Sequence, residues 1–319
     1  MKNKNAKDIA TRMKEYEKSS KHHLTPRVPV MLRIDGRAFH TFTKGFVKPF
    51  DDEILLKAMR QTMKTLCEMI PGCVLGYTQS DEITLVILDQ NTQADPWFGF
   101  CQNKIESITA SMATMLFNQA FCEAYQDYYK RLTFASGYYN DMWRSFAHKA
   151  ALEEDFEKCI VFQSIEHALH INDDIIGDKM EILYEKYHSK LHTAMFDCRA
   201  FNIPKEEVCN NLIWRQQDAT RNSIQQVAHT YFSHSELDNL SCDELQEKLF
   251  QEKGINWNNY PTRLKRGTCC VRKDVFFSAD EIKKKNPLYD GEGFTRKKWV
   301  IDTEIPIFTQ NREYIEGVL

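Results

Sequence analysis

Two short runs in this 319-residue chain have the residues to hold a divalent cation: Arg33-Ile34-Asp35-Gly36-Arg37 and Gln79-Ser80-Asp81-Glu82. Asp35 closes the β-branched, apolar stretch 27–35, and Asp81 sits in the polar turn between the apolar runs 73–77 and 83–88. Two carboxylates brought close repel and raise each other's pKa until a cation neutralises them. Hard oxygen ligands select magnesium, which takes a few carboxylates, a backbone carbonyl and the oxygens of a bound phosphate. Two such ions roughly 3.5 to 4 Å apart can activate one oxygen and stabilise another in phosphoryl or nucleotidyl transfer. Asp35 and Asp81 are therefore the candidate catalytic and metal-binding residues, and Gly36 leaves room for a close backbone approach. Glu82, the next residue on an alternating strand, is expected on the other face in a structural role. Taken singly, each aspartate is equally well a plain turn residue. Their predicted meeting at one edge, with Arg37, Lys44 and Lys48 nearby, favours a site.

That meeting depends on the elements around them. Residues 8–23 have the spacing of a modest amphipathic helix, and 27–35 read as a buried strand. Apolar residues at 54, 55, 58, 59, 63, 66 and 69 predict a helix that Pro71-Gly72 stops. Residues 73–88 read as a β-hairpin, 103–131 as a long helix, 193–201 as a strand and 204–232 as a helix opening at Pro204. Leaving out 132–192, the order is that of an α+β, ferredoxin-like βαββαβ fold. In that topology the third strand lies between the first two and runs antiparallel to both. The end of the first strand and the tip of the hairpin, hence Asp35 and Asp81, fall on the same edge.

Composition narrows the class. With 42% apolar and 12% aromatic residues the chain can fill a core. Ten cysteines without a CxxC pair, and no apolar leader at the N-terminus, read as a reduced, cytoplasmic protein. No apolar run approaches the roughly 20 residues of a membrane span. There is no Walker motif and no dinucleotide fingerprint. His167/His170 and His188/His192 have helical spacing but no identifiable third ligand, and Cys269-Cys270 point to opposite faces of a strand, so all read as packing or surface residues. The net charge is only −3, yet between Arg263 and Lys298 eleven Lys or Arg stand against five Asp or Glu. Such a patch is a solvated face or a surface for a polyanion.

The runs RIDGRAFHTF, FVKPFDDE, GYTQSDEITLVI, KIESITAS, FDCRAFNIP, WRQQDATRNS and KRGTC resemble, in order, the blocks of tRNA(His) guanylyltransferase and the guanylyltransferase-like 3′-5′ RNA polymerases. The resemblance covers most of 27–120 and 193–273. It implies a polymerase-type palm, and on that reading the chain divides into an N-terminal helix and first part of the palm over 1–131, a mostly helical insertion over 132–192, the last palm strand and following helix over 193–235, and a C-terminal basic RNA-binding extension over 236–319. The activity implied is addition of nucleotides to the 5′ end of tRNA, as template-dependent repair or tRNA(His) guanylylation, with GTP and ATP as substrates. Two Mg2+ ions would sit on Asp35, Asp81 and the carbonyl of Gly36. Nucleotide contacts carry over to Arg37, Ala38, Phe39, His40, Lys48, Ser80, Lys104, Ser107 and Asn222. RNA contacts fall at Arg215 and on a tail β-ribbon bearing Arg263, Lys265, Arg266, Arg272 and Lys273. The resemblance also implies a cytoplasmic homotetramer.

Three departures stand out. Thr220-Arg221-Asn222-Ser223 replaces the family's His-Ile-Asn-Asn, keeping only Asn222; Phe100 and Cys101 stand where arginines precede the KIES block; and 134–192 reads as an insertion. The first departure is closer to the tRNA-repair members than to strict tRNA(His) guanylylation. Two other classes fit a carboxylate pair on a palm-like sheet: a nucleotide cyclase, which needs no RNA, and an RNA-binding protein with a degenerate site.

Overall fold

The computed structural model describes residues 8–89, 93, 95–152 and 181–319. Asp8 opens helix α1 (Ile9–Ser19) by accepting from the Thr11 N–H, a conventional N-cap. Strand β1 (Val30–Gly36) leads into the short helical turn α2 (Phe39–Phe42) and helix α3 (Leu55–Met69). The hairpin β2 (Cys73–Gln79) and β3 (Glu82–Ile87) follows, then the long helix α4 (Gln102–Leu152), β4 (Phe196–Asn202) and helix α5 (Lys205–Tyr231). After helix α6 (Cys242–Lys253) and the short α7 (Thr262–Arg266), β5 (Thr268–Phe277) and β6 (Phe294–Asp302) form a ribbon.

The six strands among the described residues join one antiparallel sheet in the order β4-β1-β3-β2-β5-β6. Its first four strands have the ferredoxin-like arrangement expected, with β3 between β1 and β2. The last two differ from a separate basic extension, because β5 pairs with β2 from Leu75↔Val271 to Thr78↔Thr268 and so widens the same sheet. Alternation assigns the faces. Met31, Leu75, Tyr77, Val86, Cys269 and Val271 pack with Val208 and Leu212 of α5 on one face. On the other, Gly76 has Cys67 and Met63 of α3 against its backbone, and the Ala200 N–H donates to Glu106 of α4 at 2.9 Å. Cys269 and Cys270 are both buried, one on each face.

Two compact units divide the described chain. One holds the residues up to Arg37, Met59–Leu116 and Met195–Leu319, hence the whole sheet. The other comprises Ala38–Ala58 and Phe117–Ala194. It is built around Phe39, Phe42, Phe46, Phe117, Phe121 and Tyr187, with Phe46 stacked on Tyr187 at 3.9 Å between centroids. Buried Asp51 accepts from the N–H groups of Ile54 and Leu55, and Val47 N–H donates to the Tyr187 hydroxyl at 2.9 Å. Helix α4 crosses the boundary anticipated after residue 131 unbroken. His167 and His170 lie outside the described residues. His188 is exposed and stacks on the likewise exposed Tyr184 at 5.0 Å, as a surface histidine would.

Candidate active site

Asp35 is the penultimate residue of β1 and Asp81 belongs to the two-residue turn between β2 and β3. Antiparallel register brings them to one edge, where Asp35 stands opposite Glu82 on β3 and opposite Asp197 on β4. A backbone hydrogen bond from Gly36 N–H to the Asp81 carbonyl, 3.1 Å, ties the two turns together. Ser80 makes the turn possible by adopting a left-handed φ of 50°, and its hydroxyl donates to Asp81 Oδ1 at 3.0 Å. Burial and then the charge of Asp35 push the Asp81 pKa up, while the Ser80 hydrogen bond pulls it down.

Asp35 shares its sheet face with Glu82, Arg33 and Arg199. Glu82 is buried but lies on the face of Asp35 rather than on the opposite one that strand alternation suggested, because it is the cross-strand partner of Asp35; it sits between two guanidiniums, with Arg33 Nε 3.0 Å from Oε2 and Arg215 Nε donating to Oε1 at 2.7 Å. Arg215 also donates to Asp218 at 2.9 Å, and Asp218 accepts from Arg221 on the next turn. Asn222 completes the group with a 3.4 Å contact to Asp218. Burial raises the Glu82 pKa and the two arginines lower it. No third His, Cys, Asp or Glu among the described residues joins Asp35 and Asp81 in a closed metal cage. An open pair of hard oxygen donors, one with a strained ionisation, fits an ion that takes its other ligands from a phosphate.

The remaining candidates are placed unevenly. Arg37 is exposed, with its N–H on the Met195 carbonyl at 2.9 Å. In the second unit, Ala38 is left-handed at φ 54° and begins α2, and His40 and Lys48 are exposed. The Phe39 side chain is buried in the aromatic cluster, so only its backbone is available to a nucleotide. Lys104 and Ser107 are exposed on α4, the lysine over the Phe98 ring at 4.6 Å and the Ser107 hydroxyl on the Lys104 carbonyl. They lie about 15 and 10 Å along the helix from Thr114, whose hydroxyl accepts from Phe196 N–H near the carboxylate edge. Phe100 and Cys101, the positions without arginines, are built into packing: Phe100 is buried with its carbonyl on Leu24 N–H, and Cys101 bridges His23.

Two expected RNA contacts are corrected. Arg215 is 6% exposed and fully engaged by Glu82 and Asp218. Lys265 is buried on α7, with its ammonium over Trp257 and donating to the Asn258 carbonyl at 2.6 Å. Of the ribbon residues, Arg272 and Lys273 are exposed, Arg272 over the Trp299 ring and Lys273 on Asp302. Arg263 and Arg266 are half-buried on α7.

The model of the family described as Thg1, tRNAHis guanylyltransferase, matches residues 10–204, which is more than half of the chain. This chain belongs to the tRNA(His) guanylyltransferase family. A solved bacterial Thg1-like protein in complex with ATP is 34% identical, with a TM-score of 0.66 and 98% of each chain covered. A similar bacterial Thg1-like protein in complex with GTP is 32% identical at a TM-score of 0.63, covering 97% of this chain and 98% of that one. The tRNA(His) guanylyltransferase of Eremothecium gossypii is 24% identical over 283 residues, 87% of this chain and 97% of its own. As a member of the tRNA(His) guanylyltransferase family the protein is a nucleotidyltransferase with a palm-like α+β fold, adding nucleotides to tRNA in the 3′-5′ direction. The family match separates it from the nucleotide cyclases. No helix among the described residues is long and apolar enough to cross a membrane.

Proposed function

We propose that the protein is a magnesium-dependent, template-dependent 3′-5′ nucleotidyltransferase that repairs the 5′ end of tRNA with GTP or ATP. The observation that carries this reading is the tie between the Gly36 N–H and the Asp81 carbonyl, which fixes two aspartates at one sheet edge. Asp35, Asp81 and the Gly36 carbonyl would hold two Mg2+ ions. Bound there, the metal supplies Lewis-acid activation of the attacking 3′ hydroxyl and neutralises charge on the phosphates. Ser80 orients Asp81 through its hydroxyl. Arg33 and Arg215 hold Glu82 in place and keep its charge paired beside Asp35. The exposed side chains of Arg37, His40 and Lys48, and the backbone of Ala38 and Phe39, are the remaining candidates for phosphate and base contacts. Lys104, Ser107 and Asn222 belong to the same reading, the first two as contacts to a distant part of a triphosphate. Repair is preferred to tRNA(His) guanylylation because Thr220-Arg221-Asn222-Ser223 stands in place of the family's His-Ile-Asn-Asn, with an exposed Arg221 paired to Asp218 and a buried Ser223.

Homotetrameric assembly and a cytoplasmic site complete the reading. Purified protein incubated with 5′-triphosphorylated, 5′-truncated tRNA and labelled GTP should extend the RNA only when magnesium is present. Full-length tRNA(His) with a 5′-monophosphate, supplied with ATP, tests guanylylation in parallel. Asp35→Ala and Asp81→Ala should each abolish extension while leaving circular dichroism unchanged. An active Asp81→Ala protein would remove the metal assignment, and light scattering gives the oligomeric state.

A further inference from the structure

On α5 the sheet-facing residues Leu212, Arg215, Gln216 and Ala219 are buried, whereas Trp214 is 52% exposed. A lone exposed aromatic needs no explanation in itself. This one lies against a fixed cation. The guanidinium of Arg215 lies 4.5 Å from its ring centroid, and that guanidinium is fixed by Glu82 at 2.7 Å and Asp218 at 2.9 Å. Glu82 in turn is the cross-strand partner of Asp35 on the same sheet face. An indole half in water is therefore anchored, through Arg215 and Glu82, to the strands that carry the catalytic carboxylates.

The chemistry around it suits an RNA or nucleotide. Asp218 and Arg221 follow Trp214 at i+4 and i+7, along the same stripe of the helix. The Arg221 side chain is 61% exposed although one of its nitrogens is on Asp218. A flat aromatic surface with an exposed guanidinium two turns further along the same helix stripe is an arrangement on which a single-stranded base can stack while a neighbouring phosphate is bound. Any base has a π-face, so such a platform tolerates different sequences, as an enzyme that restores different 5′ nucleotides requires.

We infer that Trp214, backed by Arg215, is a stacking platform for a nucleobase at the catalytic edge, with Arg221 beside it for the adjoining phosphate. The base comes from the 5′-terminal nucleotide of the RNA or from the incoming nucleoside triphosphate. This assignment rests on the nucleotidyltransferase reading above.

The test uses the full chain with Trp214→Phe, which keeps a π-face, and Trp214→Leu, which keeps apolar bulk without one. A truncated tRNA carrying 2-aminopurine at its 5′ end reports stacking by fluorescence quenching, and titration with GTP reports the other source. Wild type and Trp214→Phe should bind alike, whereas Trp214→Leu should lose roughly tenfold in affinity for one of the two ligands. Loss of RNA affinity together with quenching assigns the RNA base, and loss of GTP affinity assigns the incoming base. The platform is overturned if Trp214→Leu binds both within about twofold of wild type. It is equally overturned if binding falls only together with a change in oligomeric state or melting temperature. Because binding is read without turnover, failure of the enzymatic reading has a different signature: wild type that binds both ligands yet never extends the RNA.

Discussion

Gly36 N–H donates to the Asp81 carbonyl at 3.1 Å, so the loop after β1 and the β2–β3 turn cannot separate without losing a main-chain hydrogen bond. The backbone thus holds together two side chains that repel each other.

That opposition has a measurable sign. Burial first, and then the charge of Asp35, raise the Asp81 pKa above its ordinary value. The folded protein then binds this proton more tightly than the unfolded chain, so the stability it contributes is full below the ordinary carboxylate value and is lost as pH rises through the raised one. Asp81→Asn removes the titration. Without divalent cations, its melting temperature relative to wild type should climb as pH rises above the ordinary carboxylate value. Magnesium should stabilise wild type more than the variant. A flat difference across the pH range would show that folding does not raise the Asp81 pKa.

The buried pair Glu82–Arg215 gives a second prediction. Their side chains are 5% and 7% exposed, and Arg33 approaches the same carboxylate. Deleting one partner of such a pair leaves an uncompensated charge and typically costs about 3 to 5 kcal/mol, whereas replacing both by apolar groups can be nearly neutral. Arg215→Met and Glu82→Leu should therefore each lower unfolding free energy by several kcal/mol in urea, and the double variant by less than their sum. Single variants within about 0.5 kcal/mol of wild type would return Arg215 to a surface role.

How far the sequence disclosed these positions depended on the period of the pattern. Strand alternation and the Asp-Gly and Ser-Asp turns were enough to bring Asp35 and Asp81 to one edge, because a two-residue period fixes the face and a hairpin tip fixes the end. That α4 runs on past residue 131 was not legible: one glycine, Gly137, costs only about 1 kcal/mol inside a helix, and α4 includes it. Arg215 was misplaced because an arginine in a polar helix is usually exposed. The available signal was Arg33, two residues before Asp35 and hence on its face, beside a glutamate that burial obliges to find partners. Lys265 could not have been placed, since what covers it is Trp257, in a separate 3-10 turn (Trp257–Asn259). Trp214 was visible as a residue, but its exposure depends on how α5 is rotated against the sheet, and local periodicity left that rotation open.

The basic ribbon yields a third prediction. Arg272 and Lys273 are exposed on β5, whereas Lys265 is buried under Trp257 with its pKa lowered by burial. Removing one cation that binds a phosphate should reduce the slope of log affinity against log salt by about one. Arg272→Ala and Lys273→Ala should therefore flatten the salt dependence of tRNA binding, and Lys265→Ala should leave the slope alone while lowering the melting temperature. A reduced slope in Lys265→Ala, with stability unchanged, would reverse the assignment of that lysine.

The last prediction concerns the joint that attaches the ribbon to the palm. Gly267 separates α7 from β5 with φ 83° and ψ −165°, a conformation essentially restricted to glycine. A Cβ there would come within 2.6 Å of the Thr78 carbonyl and 2.8 Å of the Tyr77 hydroxyl, which itself donates to the Arg266 carbonyl at 2.7 Å. Thr78 is backbone-paired with Thr268 and its hydroxyl donates to the Glu82 carbonyl, so it cannot retreat without disturbing the hairpin that carries Asp81. Gly267→Ala should thus cost about 2 kcal/mol or more, combining backbone strain with a clash against main chain. It should also weaken catalysis more than tRNA binding, because the disturbance reaches Asp81 before it reaches Arg272. Urea unfolding alongside separate measurement of kcat and RNA affinity checks both parts. A variant as stable as wild type would mean that α7 and β5 can meet by another path.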